Sequence, residues 1–241
     1  MQRLSMSSRI LHHQLIGTAV LSSGIKELDD LLGGLKTGEL VVFHGSAICH
    51  YVTEILCVRS QMRREDGGLD SSVVFIDGGN IFDPYFISET ACLYGLKPDE
   101  ILNSIWVSRA FTSYQLVALI TEKLPMFLDA NPSRIVVVSD IAALFCDSGI
   151  GILEAIKIFN RVVLSLWKLA REQDIVLIVS SSWSSSERKR RLEQFLFGRA
   201  DIVVGFEETD SDLKISLEKH PSKTRKSAKI CLGTLSVQSL L

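Results

Sequence analysis

Short runs of apolar residues recur along the chain: Leu40–Phe43, Val73–Ile76, Ile135–Val138, Ile175–Val179 and Ile202–Phe206, with a shorter one at Ile105–Val107. Strands with one wet face alternate apolar and polar residues, whereas unbroken apolar runs suit a parallel sheet covered on both faces. Between the runs the spacing turns helical. Ile25, Leu28, Leu31 and Leu32 follow Ser22-Ser23-Gly24, a ready serine cap, and Gly33-Gly34 ends that helix. Further helices are predicted from about His50 to Arg64, ended by Asp66-Gly67-Gly68, and over Asp83–Tyr94 and Thr112–Leu128. A long one over about Ser148 to Glu172 carries Ile152, Ile156, Phe159, Val163, Leu166 and Ala170 along one stripe. Leu213–Leu217 and Ala228–Leu232 flank a polar, basic stretch and read as an antiparallel hairpin. Strands alternating with helices make βαβ units. The expected fold is α/β: a mostly parallel twisted sheet, helices on both faces and a C-terminal antiparallel hairpin. Residues 21–241 are expected to form one domain, with 1–20 a tail or, through Ile10–Ile16, a short docking strand.

Composition narrows the class. The 241 residues are 46% hydrophobic, rich for a soluble chain and in keeping with a doubly covered sheet. No apolar run approaches the roughly 18–20 residues of a membrane helix. The first residues, with Arg3, Arg9, His12 and His13 scattered through them, lack the apolar stretch of a signal peptide. The expectation is a cytoplasmic protein with no membrane association. Cys49, Cys57, Cys92, Cys146 and Cys231 lie far apart without metal-ligand spacing, so they read as reduced thiols and no metal site is expected. A net charge of −2 means that any nucleic-acid role must rest on a local patch.

A strand, a glycine turn and a helix, followed later by an apolar strand ending near an aspartate, is the order of a P-loop nucleotidase. Four segments sharpen the likeness. Ser22 through Gly34 resembles the opening helix of the RecA/RadA/KaiC superfamily. Gly95 through Asn103, with Val107-Ser108-Arg109-Ala110-Phe111, resembles the archaeal and eukaryotic recombinase branch. Arg134 through Phe145 is similar to that branch's Walker B strand, and Leu217 through Ser222 to the C-terminal hairpin of archaeal recombinase paralogues. The similarity covers residues 21–235 in the family's order. It implies a RecA-like core.

The same resemblance exposes what is missing. A working loop reads G-x-x-x-x-G-K-[S/T]; its backbone N–H groups hold phosphates, its lysine meets the β/γ-phosphates and its hydroxyl holds Mg²⁺. The matching residues here are Gly45-Ser46-Ala47-Ile48-Cys49-His50-Tyr51-Val52-Thr53. The first glycine survives, but His50, Tyr51 and Val52 stand for the second glycine, the lysine and the metal-binding hydroxyl. Thr53 comes one residue late, about 100° round a helix. One lost charge-assisted bond costs roughly 1.5–3 kcal/mol, so losing two implies a degenerate nucleotide site. Residual anion binding by His50 and backbone amides stays open, as does a packing role for Tyr51. Asp77-Gly78-Gly79-Asn80 puts Gly79 where the family's catalytic glutamate stands, and Asn80 cannot take a proton from water. Ser139-Asp140 reverses the Walker B order, leaving Asp140 as a turn residue or a displaced metal ligand. Ser180-Ser181-Ser182 replaces the amide-bearing sensor. No cofactor is expected, with weak ATP and magnesium binding left open.

Related recombinases bind single-stranded DNA through two loops. The first would fall near Cys146-Asp147-Ser148-Gly149, which has no cation. The second falls near Trp183 and the run Arg188-Lys189-Arg190-Arg191, a groove-like set of charges beside a stacking ring, or else a solvated helix face flanked by Glu187 and Glu193. A second basic stretch includes Lys223, Arg225 and Lys226, and would add to one cationic face or serve only as a solubilising turn. Family cores also assemble side by side, which makes a recombinase or another RecA-like subunit an expected partner beside single-stranded DNA. Twenty residues ahead of the core are too few for the family's helical N-terminal domain. The resulting expectation is a non-catalytic recombinase paralogue in DNA recombination and repair. Two alternatives remain: a nucleotide-binding ATPase or sensor with an atypical loop, and a KaiC-like regulatory module without DNA binding.

Overall fold

The computed structural model describes residues 19–147 and 149–231. The suggested docking strand at Ile10–Ile16, Ser148 and Leu232 lie outside them. The described residues open with β1 (Val20–Leu21), α1 (Lys26–Leu32) and β2 (Leu35–Lys36), where β1 and β2 pair antiparallel. The main α/β run is β3 (Leu40–Gly45), α2 (Ile48–Arg59), β4 (Val73–Asp77), α3 (Pro84–Leu93), α4 (Pro98–Asn103) and β5 (Ile105–Arg109). Next come α5 (Ser113–Ala118), a π-helical turn (Leu119–Lys123), α6 (Leu124–Ala130), β6 (Ile135–Ser139) and α7 (Ile152–Glu172). The chain continues through β7 (Val176–Ser182), α8 (Glu187–Arg199) and β8 (Ile202–Glu208) to the closing hairpin, β9 (Asp212–Lys219) and β10 (Lys226–Cys231).

Eight strands form one sheet in the order β10-β9-β8-β3-β7-β6-β4-β5. β8 through β5 are mutually parallel, and the hairpin joins antiparallel at β8. Alternation along each parallel strand feeds two cores. Val41, Phe43, Val73 and Phe75 pack with residues of α1 to α4; Leu40, Val42, Val136 and Val138 pack with α5 to α8. The unbroken apolar runs are explained by this double burial. The fold is therefore the expected α/β core with its hairpin.

Several boundaries differ from the sequence reading. α2 stops at Arg59 rather than near Arg64; Arg64–Asp66 form a separate 3-10 turn, which Gly67 ends in the left-handed region. The helix expected over Thr112–Leu128 is interrupted by its π turn, just ahead of Pro125. Proline has no N–H for the carbonyl four residues back and crowds it, so the ladder widens there. α7 begins at Ile152, because Gly149 and Gly151 precede it and Gly151 is its extended N-cap. α1 is not capped by a serine oxygen. Instead the Asp29 carboxylate reaches back to the Ser22 and Ser23 hydroxyls and the Ser23 and Gly24 N–H groups.

Candidate functional site

The C-terminal ends of β3, β4, β6 and β7 converge on the start of α2, where an open parallel sheet holds its ligands. Gly45 closes β3 at φ +115, and a Cβ on it would lie 2.1 Å from the Phe206 carbonyl, so only glycine fits. Two residues, Ser46 and Ala47, then separate the strand from α2, and Ile48 already belongs to the helix. A phosphate-holding loop needs free N–H groups at this point. Here the Ser46 N–H donates to the Phe206 carbonyl at 2.8 Å, that of Cys49 to Ser46 at 3.1 Å, and that of His50 to Ala47 at 3.0 Å. Three backbone donors of this turn are therefore bonded to carbonyls of the protein itself.

Most side chains follow the same pattern, although the buried Ser46 hydroxyl finds no hydrogen-bond partner among the described residues. His50 is buried, and its Nδ1 lies 2.9 Å from the Ser180 hydroxyl. Burial lowers its pKa from the ordinary histidine value, and the Lys189 charge adds to this while the Asp140 and Asp77 charges oppose it. A neutral imidazole is a poor anion holder. Tyr51 is 38% exposed, with its ring edge-on to Phe86 at 5.1 Å between centroids. Val52 is part of the core. The Thr53 hydroxyl donates to the His50 carbonyl at 2.6 Å, within its own helix. Burial pushes the Cys49 thiol up to about 12, with the Asp140 charge adding to it, so it stays protonated.

Asp77 is buried at the end of β4. Its carboxylate accepts the Ile81 N–H at 3.0 Å, the Ser139 hydroxyl at 2.9 Å and the Arg109 Nε at 3.0 Å. Burial alone would raise its pKa. The Ile81 N–H, the Ser139 hydroxyl, the Phe82 N–H and Arg109 together outweigh this and hold it below the ordinary aspartate value. Asn80 takes φ +55 in the exposed turn after β4, next to Gly79. β6 ends at Ser139, so pleating no longer fixes where Asp140 points; it adopts φ +40. Its carboxylate meets the Lys189 ammonium at 2.7 Å, with side-chain exposures of 14% and 6%. Lys189 also donates to the Ser182 carbonyl at 2.8 Å.

That pairing corrects the sequence reading of the basic run. Lys189 is buried and unavailable to a phosphate. Arg188 is largely spent as well: its Nε donates to the Phe145 carbonyl at 2.8 Å and its Nη2 to the Ile150 carbonyl at 2.8 Å. Arg191 pairs with Glu187 on the helix surface, and Arg190 is exposed. Four successive helical residues fan over about 300°, a signal already in the sequence against a single cationic face. Trp183 projects from the turn before α8 with 76% of its surface exposed.

The second basic stretch does not join this surface. α8 runs from the ligand end of the sheet back to the strand starts, and its 13 residues span roughly 20 Å. Lys219, where the hairpin tip begins, donates to the Phe197 and Gly198 carbonyls in the last turn of α8. The tip and the Arg188–Arg191 run therefore lie at opposite ends of that helix. Lys223 donates to the Leu31 carbonyl at 2.9 Å, Arg225 to the Glu218 carbonyl at 2.9 Å, and Lys226 is exposed at the start of β10.

The family model described as Rad51 matches residues 15–193. Over 180 residues the chain is 29% identical to "DNA repair protein RAD51 homolog" from Solanum lycopersicum, covering 73% of this chain and 53% of that relative. It is 29% identical over 184 residues to "DNA repair protein RAD51 homolog B" from Zea mays, with the same coverage. To "DNA repair protein RAD51 homolog 1" from Arabidopsis thaliana it is 28% identical over 184 residues. The chain spans about half the length of these curated relatives.

Proposed function

Since this chain belongs to the Rad51 family, we propose that it serves DNA recombination and repair without hydrolysing ATP, by binding single-stranded DNA, a recombinase subunit, or both. The carrying observation is that most of the groups at the nucleotide position are already paired inside the protein, the buried Ser46 hydroxyl being the exception among the described residues. Asp140 is neutralised by Lys189, His50 faces Ser180, Thr53 bonds its own helix, and the N–H groups of Ser46, Cys49 and His50 bond backbone carbonyls. No ammonium follows His50 to meet a triphosphate, because Tyr51 stands there. Such a site lacks the preorganised positive charge that phosphoryl transfer requires.

The DNA reading rests on Trp183 and Arg190, an exposed ring and an exposed cation near one helix start. Base stacking on such a ring contributes about 1–3 kcal/mol per base. The test is a salt-titrated anisotropy assay with labelled single-stranded oligonucleotides, with and without Mg·ATP, alongside an ATPase assay. We expect salt-sensitive binding that ATP does not change, with no turnover. Trp183→Ala should weaken it about 5- to 150-fold, and Arg190→Ala should lower the salt slope by about 1. Turnover that disappears when Tyr51 or His50 is mutated would overturn the reading.

The subunit reading has its own observation. Among the described residues β5 is an edge strand, and its residues from Trp106 to Arg109 are exposed, including Trp106 at 49% and Val107 at 41%. An open edge with apolar side chains is suited to an added strand from a neighbour.

A further inference from the structure

The geometry points to a built-in cationic bracket: Lys189 and Arg188 hold the segment before α8 and the segment after β6 in one arrangement without nucleotide, so the surface carrying Trp183 stands ready in its absence. This rests on the proposed function only for what that surface binds. Lys189 ties the first turn of α8 to Asp140, the residue after β6, and to the Ser182 carbonyl that closes β7. Arg188, one residue earlier, spans the carbonyls of Phe145 and Ile150. Two consecutive side chains of one helix thus grip the segment after β6 at three points, Asp140, Phe145 and Ile150. Ser186 completes the bracket, its hydroxyl accepting the Lys189 N–H at 3.3 Å as the cap of α8.

The physical logic is substitution of one cation by another. Carboxylates at a sheet's ligand end need a counter-charge, and where a metal–nucleotide complex supplies it, local order follows binding. An ammonium tethered to the chain supplies the charge permanently. Asp140 and Lys189 are nearly dry, which makes their attraction strong and little screened by salt. The run of four cations accordingly divides in two: Arg188 and Lys189 build the surface, while Arg190 and Arg191 remain on its outside.

Hydrogen exchange on the full chain tests this, because the amides of Ala143, Phe145 and Cys146 are hydrogen-bonded inside the bracketed segment and report on its order. In the wild type, peptides over 141–147 and 183–189 should be protected, with no change on adding Mg·ATP. Lys189→Met should speed exchange in both peptides roughly tenfold or more, leaving β9 and β10 unchanged. Asp140→Asn/Lys189→Met removes both charges and should regain stability towards denaturant without restoring that protection, which separates bracketing from the cost of one unpaired buried charge. Should Lys189→Met fail to fold, Arg188→Gln is expected to accelerate the 141–147 peptide. Folded variants with wild-type exchange in these segments, or a wild type that gains protection there with Mg·ATP, would overturn the bracket. The readout needs no DNA, so failure of the DNA-binding assay would leave it intact.

Discussion

Glu54 shows what one residue can reveal about this core. It lies on α2 at 2% exposure, and its carboxylate accepts the Asp83 N–H at 2.7 Å. Burial raises its pKa to about 8; the Asp83 N–H pulls it down, and the Asp83 and Asp77 charges push it up. The folded state therefore prefers the protonated acid. Stability from this group is fully present below the ordinary pKa of 4.5 and is lost as pH rises through about 8. Glu54→Gln keeps an acceptor for Asp83 and loses the titration. Denaturant midpoints at pH 6 and pH 8.5 should show the wild type falling behind the variant at the higher pH. Parallel behaviour of the two proteins would show that Glu54 ionises normally. Asp77 runs the other way: its depressed pKa gives stability present above the ordinary value of 3.8 and lost in stronger acid.

Among the elements, β5 invites the sharpest test. Its backbone pairs with β4 on one side, and the strand is exposed from Trp106 onward. Exposed positions tolerate substitution within about 0.5 kcal/mol. Val107→Lys should therefore leave the unfolding midpoint almost unmoved while placing a charge on the edge, a common way to block strand addition. If a recombinase subunit docks there, co-sedimentation with it should be lost in this variant and kept in wild type. Retained docking would move the partner surface elsewhere. α8 teaches a different lesson, since its charge run looks uniform in sequence and is not uniform in space. One helix places Lys189 inward against Asp140 and Arg190 outward into water, only 100° further round.

For the whole molecule, the prediction concerns ligand linkage. A ligand at 100 times its dissociation constant stabilises a fold by about 2.7 kcal/mol, which moves Tm by several degrees in a protein of this size. With most groups at its proposed nucleotide position paired internally, the chain should show a Tm shift below about 1 °C in millimolar Mg·ATP by scanning calorimetry. A shift of several degrees would mean that a nucleotide site survives. Among the described residues no helix is long and apolar enough to cross a membrane. The alternation of apolar runs with helical spacing already determined a parallel α/β core with a terminal hairpin, because burial on both faces dictates apolar strands locally. The chain also sets His50, Tyr51 and Val52 where the resemblance expects a glycine, a lysine and a hydroxyl, an expectation that needs only consecutive residues to read. Tertiary structure alone decided which charges were spent: Asp140 meets Lys189 across 49 residues and Asp77 meets Arg109 across 32. It also decided that the two basic stretches lie at opposite ends of α8. Backbone preference acts between neighbours in sequence, whereas an ion pair is chosen by whatever packing brings within reach, and that depends on the completed sheet.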